Sequence, residues 1–218
     1  MNETSQHDTD PILKAAANVL SLLFNPLLVP TYCAWIALWS TTLAWLPESI
    51  RWISVMYTFL FTGILPFGFI ALMRFCGRAS DMDLTNRRQR MLPYIAGAFC
   101  YGAACFYFHR AHAPEWFYMF FAGAGAAIIV SFIVSFRWKI SAHGAAMGGL
   151  LAMIVRIMTG PYATADLASV TLPCAVIFTG AVCTARLILG KHTLMQTLAG
   201  VANGFICVWL TTIVAYQQ

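Results

Sequence analysis

The stretch ARLILGKHTLMQ, residues 185–196, places several reactive side chains between two long apolar runs. Arg186 ends one run, His192 begins the next, and Gly190 lies between them, where the chain has to turn. His192 and Gln196 are four residues apart, so they share one face of a helix. The amide of Gln196 can therefore hydrogen-bond one imidazole nitrogen, which leaves the other nitrogen as a nucleophile.

A second polar stretch, RWKISAHGAAMGG at residues 137–149, begins another helix that is rich in small residues. Backbone N–H groups at a helix start bind anions, and Ser141 is well placed to cap this helix. Together with Lys139 and His143, this helix start predicts an anion site. The alternative is an interfacial lysine, a helix cap and a histidine whose hydrogen bonds are satisfied within the bundle.

A third stretch, DMDLTNRRQRMLP at residues 81–93, places Arg87, Arg88 and Arg90 just before an apolar run that Pro93 opens. Guanidinium groups bind phosphate oxygens in pairs, which favours an anion clamp. The alternative is a basic anchor at the cytoplasmic membrane surface.

The composition indicates a membrane protein. Of the 218 residues, 60% are apolar and only 10% are charged, and the mean hydropathy is +0.73. A soluble domain needs about a quarter of its residues charged, so most of this surface must face lipid. The net charge of +5 is spread thinly between apolar runs, which argues against a nucleic-acid partner. The seven cysteines form no CxxC pair, so we expect no metal site.

These observations predict an all-α polytopic bundle of six or seven membrane-spanning helices. Residues 1–25 are expected to form a polar tail and an interfacial helix, and residues 26–218 the transmembrane domain, with polar motifs at 81–93, 137–144 and 185–196. The first span is the weakest, because Pro26 and Pro30 interrupt its entry, so six spans and a re-entrant or tilted segment are the alternative. Runs of about 20 residues lie near 27–46, 52–73, 91–109, 115–136, 140–158, 168–189 and 193–215.

Alternation of the spans brings the three polar stretches to one side of the membrane. That side carries ten of the 13 lysines and arginines, and Arg51, Arg110 and Arg156 lie on the other. The positive-inside rule would make it cytoplasmic, but the candidate ligands alone account for most of the difference, so the orientation stays open. Cations, a helix N-terminus and two imidazoles on one side are the equipment for phosphoryl transfer.

These motifs resemble those of the type 2 phosphatidic acid phosphatase superfamily of membrane phosphatases. That family carries, in order, Lys-x6-Arg-Pro, Pro-Ser-Gly-His and Ser-Arg-x5-His-x3-Asp. The third motif occurs here as Ala185-Arg186, five residues, His192, three residues and Gln196. The second occurs as residues 140–143, Ile-Ser-Ala-His, and the first only loosely, as residues 87–93. The resemblance covers roughly residues 80–215.

The resemblance implies a role for each matching residue. His192 would form a phosphohistidine, His143 would protonate the leaving alkoxide, and Gln196 would orient the nucleophile. The phosphate would be held by Arg186, Arg90, Ser141 and the backbone near Ala142, with Arg87 or Lys139 supplying the cation that the first motif lacks. The family needs no metal or other cofactor, and its membrane members act on lipid phosphates or polyprenyl diphosphates.

Two departures from the family pattern bear on activity. Asp83 stands where the first motif has lysine, and Gln196 stands where the third has aspartate. A neutral amide orients an imidazole but does not neutralise the imidazolium. In a Ser-His-Asp triad the change from Asp to Asn costs roughly 10⁴ in turnover.

The sequence therefore predicts an integral membrane phosphatase of a bacterial inner membrane, acting on a lipid phosphate among membrane lipids. The alternatives are a catalytically silent relative that binds or transports anionic lipids, and a membrane assembly subunit. The particular lipid and the oligomeric state are not predicted.

Overall fold

The computed structural model describes residues 10–77, 91–161 and 168–214, and the regular structure in these ranges is helical. A π-helical turn, Leu60–Ile64, joins α3 and α4 into one continuous helix, Glu48–Phe75. The helices are α1 Pro11–Leu23, α2 Val29–Ser40, α3 Glu48–Phe59, α4 Leu65–Phe75, α5 Met91–Arg110, α6 Glu115–Ser135, α7 Ala142–Thr159, α8 Ala168–Ile188 and α9 Leu194–Val214.

The predicted all-α membrane bundle is confirmed. Within the described ranges, six helices are long and apolar enough to cross a membrane. They are the continuous α3–α4 helix and α5 to α9. The chain is therefore an integral membrane protein with several spans.

The span predicted near 27–46 is not one long helix. Only α2 and a short 3₁₀ turn, Thr42–Trp45, occupy it. With 12 residues, α2 is about 18 Å long, which is less than the roughly 30 Å hydrocarbon core. Asn25 Oδ1 accepts a hydrogen bond of 3.0 Å from the Leu27 N–H in the turn that separates α1 from α2. Six long helices and the shorter α2 in the described residues agree better with the alternative of six spans and a re-entrant or tilted segment.

The chain passes from one end of the bundle to the other between the end of α1 and the end of α2. The Ser21 carbonyl, near the end of α1, contacts His143 at the start of α7. At the end of α2, Ser40 borders the same small cleft as Met158 at the end of α7. This distance is covered by α2 and the turn before it, and the helix is interrupted between Phe24 and Leu28.

Glycines bring the backbones of α7 and α9 into direct contact. A Cβ atom added to Gly144 would lie 2.6 Å from the Thr197 carbonyl oxygen. Added to Gly204, it would collide with the Ala145 backbone. Such small-xxx-small pairs allow membrane helices to pack closely without a hydrophobic driving force. This contact sets the start of α7 against the start of α9. The glycines of the contact are Gly144 and Gly148 of α7 and Gly200 and Gly204 of α9.

A polar contact ties α9 to α6 on the neighbouring face. The side-chain amide of Asn203 donates to the Ala127 carbonyl at 2.9 Å and to Ser131 Oγ at 3.0 Å. Hydrogen bonds between membrane helices typically contribute about 1 kcal/mol. They also fix the rotation of α9, and with it the direction of the residues at its start.

We expect Gly204→Ala to destabilise the protein by about 1–3 kcal/mol, because the added methyl group would force the α7 and α9 backbones apart. Gly102→Ala is the matched control, since no atom lies within 4 Å of its added Cβ. That change should be neutral or stabilising by up to about 1 kcal/mol. Thermal unfolding of both variants in detergent measures the difference. Equal unfolding midpoints would contradict the close contact.

Candidate active site

A glycine-capped turn ends α8 just after Arg186. The Gly190 N–H donates to the Leu187 carbonyl at 2.9 Å, and the Lys191 N–H donates to the Arg186 carbonyl at 3.1 Å. This pair of bonds is a Schellman motif, which needs a residue with positive φ at Gly190. Its φ is +61°, a conformation that glycine adopts without strain. The turn predicted at Gly190 is present, and its cause is this cap.

A capping box begins α9 immediately afterwards. The Gln196 N–H donates to Thr193 Oγ1 at 3.4 Å, and the Thr193 N–H donates to Gln196 Oε1 at 3.2 Å. The two side chains thus satisfy each other's backbone donors at the helix start. His192 is the residue between the two caps. The five residues between Arg186 and His192 are therefore the last residues and the cap of α8, and His192 comes directly before the capping box of α9.

The same capping oxygen selects the tautomer of His192. Gln196 Oε1 lies 3.3 Å from His192 Nδ1. Because the Thr193 N–H can only donate, the Gln196 atom that faces it must be the oxygen and not the amide nitrogen. His192 Nδ1 therefore carries the proton that it donates, and in the neutral ring Nε2 keeps its lone pair. The predicted pairing of Gln196 with the imidazole is present.

Two hydrogen bonds join the residues just before α7 to the first turn of α9 and to the turn between α8 and α9. The Ser141 N–H donates to the Gln196 carbonyl at 3.1 Å, and Lys139 Nζ donates to the Lys191 carbonyl at 2.8 Å. Ser141 also caps α7, since its Oγ accepts from the Gly144 N–H at 3.2 Å. The second and third polar stretches of the sequence therefore form one connected unit.

A cavity of about 610 Å³ opens inside the bundle at this unit. Ala142, His143, Arg186 and His192 line its polar end. The break between α1 and α2, together with α4, α5 and α6, forms the opposite walls. The volume falls within the range of about 300–1,000 Å³ that is typical of small-molecule sites.

The polar end of the cavity is electropositive. The side chain of Arg186 is only 8% exposed, so its charge acts in surroundings of low dielectric constant. The N–H of Ala142 belongs to the first turn of α7, where backbone donors have no acceptor within the helix. An anion held there would meet both the guanidinium and the positive end of a helix.

His143 is held from the N-terminal part of the chain. Its Nε2 lies 3.0 Å from the carbonyl oxygen of Ser21, 122 residues away in sequence. A carbonyl oxygen only accepts, so Nε2 carries the proton in this contact. As an acid, His143 would donate either from Nδ1 of the doubly protonated ring or from Nε2 after leaving Ser21.

The structure brings together most, but not all, of the residues predicted for the site. Lys139 and Ser141 lie beside the cavity, where their hydrogen bonds hold the surrounding backbone in place. Gln196 contacts His192, which lines the cavity. Arg87 and Arg90 fall outside the described residues, as do Arg88 and Asp83. Among the described residues, no group of three or more His, Cys, Asp or Glu side chains could hold a metal ion.

Three contributors to the site were missed by the sequence reasoning. Thr193 could have been found, because Thr-x-x-Gln before an apolar run is the sequence signature of a capping box. Asn25 lines the cavity, and Asn-Pro at residues 25–26 is a turn signal. No local pattern could have identified the Ser21 carbonyl, because its contact is purely tertiary.

Gln196→Ala should destabilise the protein by about 1 kcal/mol, because it removes half of the capping box. It should also remove the hydrogen bond that holds the proton on His192 Nδ1, so both neutral tautomers become populated. Gln196→Glu is the matched control, since a carboxylate oxygen of similar reach accepts both hydrogen bonds. Nitrogen chemical shifts of the His192 ring report the tautomer. An unchanged ring spectrum in Gln196→Ala would contradict the assigned role.

Comparison with known families finds a match over part of the chain. Residues 133–218 match the model of the PAP2 superfamily, a range that contains α7, α8 and α9 with the second and third polar stretches. Neither the curated proteins nor the solved structures give a match. The family match supports a phosphatase-type function on lipid phosphates in general terms. Residues 133–218 are therefore similar to the type 2 phosphatidic acid phosphatase superfamily, over somewhat less than half of the chain.

Proposed function

We propose that the chain is a membrane phosphatase that removes a phosphoryl group from a lipid phosphate or a polyprenyl diphosphate through a phosphohistidine on His192. One observation carries the proposal: Gln196 Oε1 holds the Nδ1 proton of His192, so Nε2 is the nucleophilic atom. The same ring lines a cavity with Arg186 and His143. A bacterial inner membrane remains the expected location.

The first chemical step forms a P–N bond and breaks a P–O bond. The lone pair of His192 Nε2 attacks phosphorus, and the electron pair of the broken bond goes to the lipid oxygen. His143 gives a proton to that oxygen, so the lipid leaves as an alcohol, or as a monophosphate when the substrate is a diphosphate. Arg186 and the N-terminus of α7 stabilise the charge on the transferring group.

The second step returns the enzyme to its starting state. Water attacks the phosphohistidine, the P–N bond breaks, and its electron pair returns to His192 Nε2. His143, now neutral, accepts the proton that the water loses, and inorganic phosphate leaves. No metal takes part in these steps, so turnover in the presence of a chelator is part of the prediction.

Gln196 makes this site different from the family pattern. While Nε2 carries the phosphoryl group, the His192 ring is cationic, and the amide dipole of Gln196 stabilises it less than a carboxylate would. We expect slower formation of the phosphoenzyme as a result. The capping box explains why a glutamine is accommodated here, because its longer side chain reaches both Thr193 N and His192 Nδ1.

The proposal predicts a trapped intermediate. Brief exposure of the protein to a lipid phosphate labelled on phosphorus should leave label on the peptide that contains His192, and the label should be lost in acid and survive in base. His192→Ala should abolish both the label and turnover while leaving expression intact. His109→Ala is the matched control, since His109 lies at the other end of the bundle, at the end of α5. Full turnover in His192→Ala would disprove the role.

The lipid-binding alternative is favoured by the same glutamine, and it predicts a different pattern. A silent relative would bind phosphate lipids equally well with and without His192, because binding depends on cations and not on the nucleophile. Arg186→Ala should weaken that binding at least tenfold, since a charged pair in this setting is worth more than about 1.4 kcal/mol. Lipid binding measured on both variants, together with phosphate release, separates the two functions.

A further inference from the structure

The cavity continues well beyond its polar end. Along α6 its lining extends from Ser131 to Phe120, which is about 16 Å on the helix axis. Along α9 it reaches Val208, about 21 Å from the start of that helix at Leu194. A phosphate group needs only the polar end, so the inner part has to be explained separately.

The inner wall is apolar, and small residues create its space. Phe120 and Val208 border it together with Ala124, which has only a methyl side chain, and Gly149, which has none. Protein interiors normally pack without voids larger than a water molecule. The cavity as a whole is large and mostly apolar, which favours a ligand over a packing defect.

We propose that this inner cavity, bordered by Phe120, Ala124, Gly149 and Val208, binds the hydrocarbon chain of an anionic lipid whose phosphate lies at Arg186. The headgroup assignment rests on the proposed function, whereas the chain site rests on the shape and chemistry of the cavity. The cationic end and the apolar interior match the two halves of such a ligand. About two thirds of the lining residues, from the segment between α1 and α2 and from α1, α2, α4, α5 and α6, precede the region of the family match.

Selection in this cavity is steric. A chain that leaves the bilayer for the cavity exchanges one apolar environment for another, so it gains little from the hydrophobic effect. It gains contacts only where it fills the space, and it loses them where a side chain blocks the way. The inner end should therefore set the longest chain that binds fully inside the bundle.

Photolabelling tests the location of the chain without requiring turnover. The probe is a long-chain alkyl phosphonate with a photoreactive diazirine at the end of its chain. We expect the label on the α6 peptide that contains Phe120 and Ala124 and on the α9 peptide that contains Val208. Label on lipid-facing residues such as Phe99 or Phe106, which are 79% and 66% exposed, would overturn the proposal. So would the absence of specific label.

A substitution inside the cavity tests the selectivity. Ala124→Leu places a larger side chain in the inner cavity, so labelling by the long probe should fall at least tenfold while a short-chain probe still labels the protein. Ala126→Leu is the matched control, because the same change two residues along α6 points away from the cavity lining. Equal loss, or no loss, in the two variants would overturn the chain site.

The two proposals fail separately. If the inner cavity is labelled but the protein releases no phosphate, the chain site is supported and the phosphatase proposal is contradicted. If the protein releases phosphate but the label is on lipid-facing residues, the phosphatase proposal is supported and the proposed chain site is contradicted.

Discussion

The backbone contact between α7 and α9 is the constraint on which the site depends. Four glycines, Gly144, Gly148, Gly200 and Gly204, allow the two helices to touch where any side chain would separate them. Because the contact includes the first turns of both helices, it places the capped start of α7 against the start of α9. Within a membrane no hydrophobic force would replace it, since lipid is as apolar as the helices themselves. A larger residue at any of these four positions would therefore separate the starts of α7 and α9 and disturb the site.

Helix caps position the reactive side chains at that contact. The glycine-capped end of α8 and the capping box of α9 lie on either side of His192, and they fix the path of the backbone between Arg186 and His192. The oxygen that completes the capping box also holds the Nδ1 proton of His192. Stability and reactivity are thus joined in one side chain, Gln196. Glutamine in place of the family's aspartate therefore keeps both hydrogen bonds, but its neutral amide stabilises the charged imidazole ring less than a carboxylate would.

The sequence predicted the features that have a local cause. Apolar runs of membrane length identified the long helices, the four-residue interval identified the pairing of His192 with Gln196, and Ser141 was recognised as a cap. The first span was wrong as a single helix, because the effect of the prolines and of the Asn25 turn outweighs the apolar composition. The Ser21 contact and the inner cavity depend on tertiary packing, so no interval along the chain could have predicted them. The roles of Arg87 and Arg90 remain predictions from the sequence.

The central claim is that these capped helix ends form a site for phosphoryl transfer from a lipid. The most direct measurement is phosphate release by the purified, folded wild-type protein in detergent, with a chelator present and a panel of lipid phosphates and polyprenyl diphosphates as substrates. The account predicts steady release from at least one member of the panel, unaffected by the chelator. A folded protein that binds these lipids and releases no phosphate from any of them would contradict it.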